Sequence, residues 1–338
     1  MRFLAKFYVL AALAACCILY SLWSLNSYYT SNKAPMQQYH YRLVTFGDSW
    51  SDVNATRNPH QDKLWTEQLC SQFSCLQENM AESADPPVRL TSGALVDNGE
   101  LESSDDPAWS SPPADLKTQI SRWLEKEKQA VQDLSDDHVS RRANRTLFSV
   151  SFGVWDLWRL ITKEVDNPKA SIQRIVQKLF DNLNDLASSV PADGIKIILL
   201  APVDVTFLPA YGSKGQGTHR DAIGLFEEWN DQLRNHTAGW SHGTIYLVDT
   251  NAFLVDQIRE RHLWVAGYIE TQDYGKTGVA WENVHDPCIS NPKNGTSNHG
   301  DICGSPEKVL FWDSMHLGPT AHKLLGTEIF KGISDLWL

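Results

Sequence analysis

Five short, mostly apolar runs alternate along this chain with longer amphipathic stretches, and that alternation narrows the folds open to it. The runs lie at residues 42–46, 88–90, 146–151, 195–201 and 244–248. Each is β-rich and too short for a helix, as strands are when helices cover both faces of their sheet. Helical stretches fall at residues 115–128, 171–187, 221–235 and 319–336. In the first, Leu116, Ile120, Trp123 and Leu124 mark one face; in the second, Ile172, Ile175, Val176, Leu179, Phe180 and Leu183 do. Gly318-Pro319 is a start signal for the last. Strands alternating with helices predict an α/β chain, a three-layer α/β/α sandwich with a central parallel sheet. No internal repeat is visible.

The bulk properties exclude some partners. With 338 residues, 42% apolar and 21% charged, the chain has the composition of an ordinary globular protein. A net charge of -11 leaves nothing to neutralise phosphates, so nucleic acid is excluded as a partner. Docking by charge on an anionic membrane face is excluded for the same reason. No cofactor is called for.

The N-terminus reads differently. Arg2 and Lys6 precede an uncharged, largely apolar run at residues 7–25, and about 17–25 such residues cross a bilayer as a helix. The first reading is a retained signal-anchor over residues 1–25, a polar stalk at 26–38, and a catalytic body at 39–338. The second is a cleaved signal peptide, although its candidate exit, Ala12-Leu13-Ala14, lies in the middle of the run. Both put the body in the secretory lumen or outside. Asn-x-Ser/Thr acceptors at Asn54, Asn144, Asn235 and Asn294 agree with that topology. Cys16 and Cys17 lie in the apolar run, leaving Cys70, Cys75, Cys288 and Cys303. Four cysteines allow three pairings. The local pairs Cys70–Cys75 and Cys288–Cys303 are expected, since each closes a short polar loop.

The chemistry concentrates at two places. The first strand runs into Gly47-Asp48-Ser49, and ligands of open parallel sheets sit beyond the carboxyl ends of the strands. A Ser there projects into the crevice, with its own N–H or its neighbour's close to a developing oxyanion. The competing reading is an ordinary turn, for which Gly, Asp and Ser are common formers. Far downstream, Asp313 and His316 stand three residues apart just before a helix start. A carboxylate so placed can accept the Nδ1 proton and leave Nε2 to face Ser49, which completes a nucleophile, a base and an orienting acid.

On these residues the chain resembles the GDSL/SGNH hydrolase family, whose sequence blocks occur in a fixed order. Block one looks like Phe46-Gly47-Asp48-Ser49, with Trp50 where the family name has Leu, and block five like Asp313-Ser314-Met315-His316. The resemblance implies an SGNH-type, flavodoxin-like sandwich with Ser49 as nucleophile, His316 as base and Asp313 as acid. Block two looks like Thr91-Ser92-Gly93-Ala94 and implies that the Gly93 N–H donates to the oxyanion, alongside that of Ser49. Block three is Gly-x-Asn-Asp in the family, and here it is Gly153-Val154-Trp155-Asp156. Trp155 therefore stands where the family has its third oxyanion donor. Three readings stay open: the indole donates in the amide's stead, a neighbouring group fills the gap, or the chain is a slow or inactive relative. Asp156 is expected to tie loops together.

The leading expectation is a serine ester hydrolase acting through an acyl-enzyme on an acyl ester, a lipid or an acylated carbohydrate, with acyl transfer as a variant. Trp50, Trp158 and Trp312 lie in or beside the matched blocks and are expected to line the substrate site, the alternative being that they fill core. A second reading is a catalytically silent module that holds a glycan in the Trp-rich crevice, favoured by Trp155 in place of the family's oxyanion-hole Asn. A third is a metal-dependent phosphoesterase using Asp48, Asp313 and His316, against which the sequence offers no metal-ligand spacing.

Overall fold

The computed structural model describes residues 20–21, 40–55, 57–84, 93–101, 112–163, 165–213, 219–269, 281–289 and 302–337. The chain divides into two units, Met1–His40 and Tyr41–Leu338. Of the first, Tyr20 and Ser21 are described, both helical. Among the described residues no helix is long and apolar enough to cross a membrane. The stalk, and the apolar run at 7–25 apart from those two residues, lie outside what is described.

The second unit is built on a five-stranded sheet in the order β2-β1-β3-β4-β5, every neighbouring pair parallel. Its strands are β1 (Arg42–Gly47), β2 (Leu76–Asn79), β3 (Thr146–Ser151), β4 (Ile195–Ala201) and β5 (Gly243–Asp249). Four of them fall where the apolar runs predicted. The run at 88–90 lies outside the described residues, and β2 stands at the edge, a position the sequence reading missed. Its Leu-Gln-Glu-Asn is half-exposed and carries no buried pattern, and edge strands tolerate such composition.

Helices α1 (Trp65–Gln72), α2 (Leu116–Val131), α3 (Asp136–Asn144), α4 (Val154–Thr162), α5 (Pro168–Ser189), α6 (His219–Gly239), α7 (Thr250–Val265) and α8 (Pro319–Trp337) surround the sheet. The predicted apolar faces are the packed ones. Leu116, Ile120 and Trp123 of α2 are buried, as are Ile172, Ile175, Val176, Leu179, Phe180 and Leu183 of α5. Trp123 sets its ring edge-on to Phe46 of β1 and Phe148 of β3, which stack on each other at 6.2 Å. At the amino ends of the same strands, buried Arg42 makes a two-pronged contact with Glu127 of α2, at 2.6 and 2.8 Å. One face of α2 is thus pinned at both levels, by packing and by a charge-assisted fork.

A second, small parallel ladder joins β6 (Asn283–Pro287) and β7 (Val309–Phe311). Two disulfides are present, Cys70–Cys75 and Cys288–Cys303, the local pairs expected. They suit an oxidising compartment.

Candidate active site

The turn bearing Ser49 begins where β1 stops. Buried Gln119 of α2 takes over from the sheet: its Oε1 accepts the Gly47 N–H at 2.9 Å and its Nε2 donates to the Gly47 carbonyl at 2.9 Å. The chain then folds back, and the Asp48 carbonyl accepts the N–H groups of Ser51 and Asp52 at 2.9 and 3.1 Å. Asp48 Oδ1 accepts the Trp50 N–H at 2.9 Å. Ser49 is left half-buried in this tight turn at the carboxyl end of the sheet.

The downstream loop is held by its own carboxylate. Asp313 Oδ1 accepts the N–H groups of Met315 and His316 at 2.8 and 2.9 Å, and both carboxylate oxygens meet His316 Nδ1, at 2.8 and 2.9 Å. With Nδ1 protonated toward Asp313, Nε2 is an acceptor, and it lies 2.8 Å from Ser49 Oγ. Trp50 Nε1 donates to the Met315 carbonyl at 3.1 Å, tying the two loops directly. The Ala210 N–H donates to the Ser314 carbonyl at 2.9 Å from the far side.

Electrostatics follow from this packing. Burial works against the charged imidazole of His316, but the Asp313 charge and hydrogen bond outweigh it, with Asp48 adding, and its pKa is raised. Burial likewise opposes ionisation of Asp313, and is outweighed by the His316 charge, its hydrogen bond and the two N–H groups, so that pKa is lowered. Asp48 and Asp156 are pushed up to about 7, each chiefly by burial. Asp48, Asp313 and His316 are not arranged as a ligand set: both Asp313 oxygens face the imidazole. Among the described residues, no group of three or more His, Cys, Asp or Glu is placed to hold a metal ion.

The third wall of the site is α4. Its N-cap is Gly153, at φ +112, a left-handed conformation that side chains rarely adopt. The following turn brings Trp155 to Ser49, where Nε1 donates to Oγ at 2.9 Å. Gly93 lies against the same indole: a Cβ there would fall 1.8 Å from both Nε1 and Cδ1. Asp156 Oδ1 accepts the Val96 N–H at 3.1 Å, so the Gly93 segment and α4 are fastened to each other. Thr91 and Ser92 lie outside the described residues.

Residues 43–329 match the model of the GDSL-like lipase/acylhydrolase family. The chain belongs to that family. Hydrolysis of ester bonds is the activity class that goes with it. Among solved structures it is similar to Est24, a carbohydrate acetylesterase from Sinorhizobium meliloti. That likeness has 14% identity and a TM-score of 0.39, over 88% of this chain and 99% of that one. It is also similar to the native aryl esterase of M. smegmatis, at 12% identity and a TM-score of 0.41, over 88% and 99%. No curated protein matches.

Trp50, Trp158 and Trp312 are each 3% exposed. Trp50 spans the Ser49 turn and the Asp313–His316 loop, Trp158 packs in the main core, and Trp312 packs on the Cys288–Cys303 pair. Their apolar rings are worth more buried than wet, which is the usual fate of large aromatics. Of the acceptor asparagines, Asn54, Asn144 and Asn235 are exposed, while Asn294 lies outside the described residues. Gln119 was missed. Its signal was a glutamine lying between Leu116 and Ile120 on a face otherwise apolar.

Proposed function

We propose that the protein is a serine ester hydrolase that works through an acyl-enzyme on Ser49. The observation that carries this reading is the 2.8 Å separation of Ser49 Oγ from His316 Nε2, with Asp313 on the other ring nitrogen. His316 takes the hydroxyl proton as Oγ attacks the ester carbonyl, and Asp313 steadies the imidazolium that forms. The oxyanion is received by the N–H groups of Ser49 and Gly93 and by the indole N–H of Trp155. His316 then passes its proton to the departing alcohol. A water molecule, deprotonated by the same imidazole, releases the acid and restores Ser49.

The 2.9 Å contact from Trp155 Nε1 to Oγ favours the first of the three readings of that substitution, an indole donating in the amide's stead. It puts the indole N–H beside the attacking oxygen, next to which the oxyanion of the tetrahedral adduct forms. The glycan-holding alternative rested on Trp155 in place of the family's Asn, and an indole N–H that donates to Ser49 Oγ speaks for the hydrolase instead. The substrate class we assign is a carboxylic ester of a lipid or a carbohydrate. The two disulfides, the exposed acceptor asparagines and the apolar residues 7–25 support a secretory location for the body.

A fluorophosphonate probe and p-nitrophenyl acetate test the reading. The protein should be labelled and should release nitrophenolate, and Ser49→Ala should abolish both while thermal unfolding stays close to that of the parent. Folded protein that takes up no probe and turns over no ester would refute it.

A further inference from the structure

The strand that leads to Asp313 is braced from outside the main core. Beyond the β6–β7 ladder, the Cys288 N–H donates to the Phe311 carbonyl and the Ile289 N–H to the Trp312 carbonyl, both at 2.9 Å. Ile289 bridges antiparallel to Ile302, and the Cys303 N–H returns to the Cys288 carbonyl at 3.0 Å. The Cys288–Cys303 bond fastens that return across a sequence separation of 15. Cys288, Val309 and Trp312 bury one another in a cluster apart from the main core, with Ile289 and Cys303 against it. So small a cluster supplies little burial energy of its own, and a covalent link makes good the deficit. Trp312 is the residue before Asp313, and its N–H donates to the His316 carbonyl at 2.9 Å. The acid–base loop therefore begins where this braced ladder ends.

We propose that the Cys288–Cys303 disulfide, with Trp312 packed on it, is a positioning element of the catalytic site that keeps Asp313 and His316 in register with Ser49. This rests on the acyl-enzyme reading above. The other disulfide supplies an internal control. Cys70–Cys75 links the end of α1 to the start of β2, at the amino ends of the strands and away from Ser49, and both of its residues belong to the main core.

The experiment compares the full chain with a Cys288→Ala/Cys303→Ala variant and a Cys70→Ala/Cys75→Ala variant. The first should lose about 10- to 100-fold in kcat on p-nitrophenyl acetate with little change in KM, the scale expected of a catalytic group displaced by about 1 Å. Its acid limb should also move to lower pH, because a loosened Asp313 no longer holds up the affinity of His316 for a proton. The other charged or titratable groups that act on His316 are Asp48 and, across α8, His322, and neither lies on the braced strand. The second variant should unfold at a lower temperature yet keep its kcat and its acid limb. Parental kcat and an unmoved limb in the first variant would overturn the proposal, as would equal losses in both pairs. If the first variant does not accumulate folded, Trp312→Phe takes its place, with a smaller effect in the same direction; no effect overturns the proposal. If the parent itself takes up no fluorophosphonate, the acyl-enzyme reading is what has failed. Amide exchange over residues 312–317 then decides the bracing, faster in the variant supporting it and equal exchange rejecting it.

Discussion

At the level of single residues, the site is a compromise built around one bulky substitution. An asparagine amide is small and carries two N–H bonds; an indole carries one and needs room for nine ring atoms. Room comes from Gly93, where any side chain would collide with the ring, and aim comes from Gly153, whose left-handed turn starts α4. Both features are needed before Nε1 can reach Ser49 Oγ at 2.9 Å. Trp155→Phe keeps most of the ring and deletes the donor. Its kcat should fall by about 10²–10³-fold with KM nearly unchanged, the usual effect of removing one oxyanion donor. Gly93→Ala should give a comparable loss, since methyl and indole cannot share the space. Steady-state kinetics on p-nitrophenyl acetate decide this, and a Trp155→Phe enzyme within a few-fold of the parent would remove the indole from the oxyanion site. Ser49, Asp313 and His316 were legible in the sequence because strand-end chemistry and a three-residue spacing are local patterns. The orientation of Trp155 was not, because it depends on the backbone turn at Gly153 and on space left by Gly93 in a distant segment.

At the level of secondary-structure elements, legibility follows burial pattern. β1 and β3 are buried throughout and β4 at all but Lys196, each with a mostly apolar or β-branched run, and α2 and α5 each show one apolar face; these were readable. α4 does carry a helical period, with Asp156, Arg159 and Thr162 at helical spacing, but at nine residues it is too short for that pattern to stand out. The apolar residues of α7 do not gather on one face, and it was missed for that reason. Docking between elements is the least visible of all. Gln119 supplies the acceptor for the Gly47 N–H at the end of β1, just before the turn bearing Ser49, and it also donates to the Ala114 carbonyl at 2.8 Å. Gln119→Leu fills a similar volume but strands the Gly47 N–H, a buried donor whose abandonment costs about 1–3 kcal/mol. Urea unfolding should report a loss of that size with an unchanged slope, and kcat should fall because the turn bearing Ser49 loses its anchor. A variant as stable and as active as the parent would show that β1 does not depend on this contact.

At the level of the whole molecule, the buried titratable groups set how stability varies with pH, and they pull in opposite directions. His322 of α8, almost fully buried, is driven down to about 3, first by burial and then by the His316 and Arg57 charges. Between its ordinary value near 6.5 and about 3, the unfolded chain binds the proton that the folded one refuses. Stability from this source is therefore full above about 6.5 and is lost as pH falls. Asp48 and Asp156 behave in reverse. Each is held up at about 7 against an ordinary 3.8, so the folded state keeps protons that the unfolded chain has released. Their contribution is full below about 3.8 and is lost as pH rises toward about 7. Asp156→Asn isolates this second effect at a distance from the nucleophile, because the amide oxygen can still accept the Val96 N–H while the charge is gone. The melting temperature of the variant relative to the parent should climb steadily from pH 4 to pH 8. For His322→Gln the relative gain should instead be largest near pH 4 and fade above pH 7. Differences that stay flat across the range for both variants would mean that neither group is buried in the protonation state its surroundings demand.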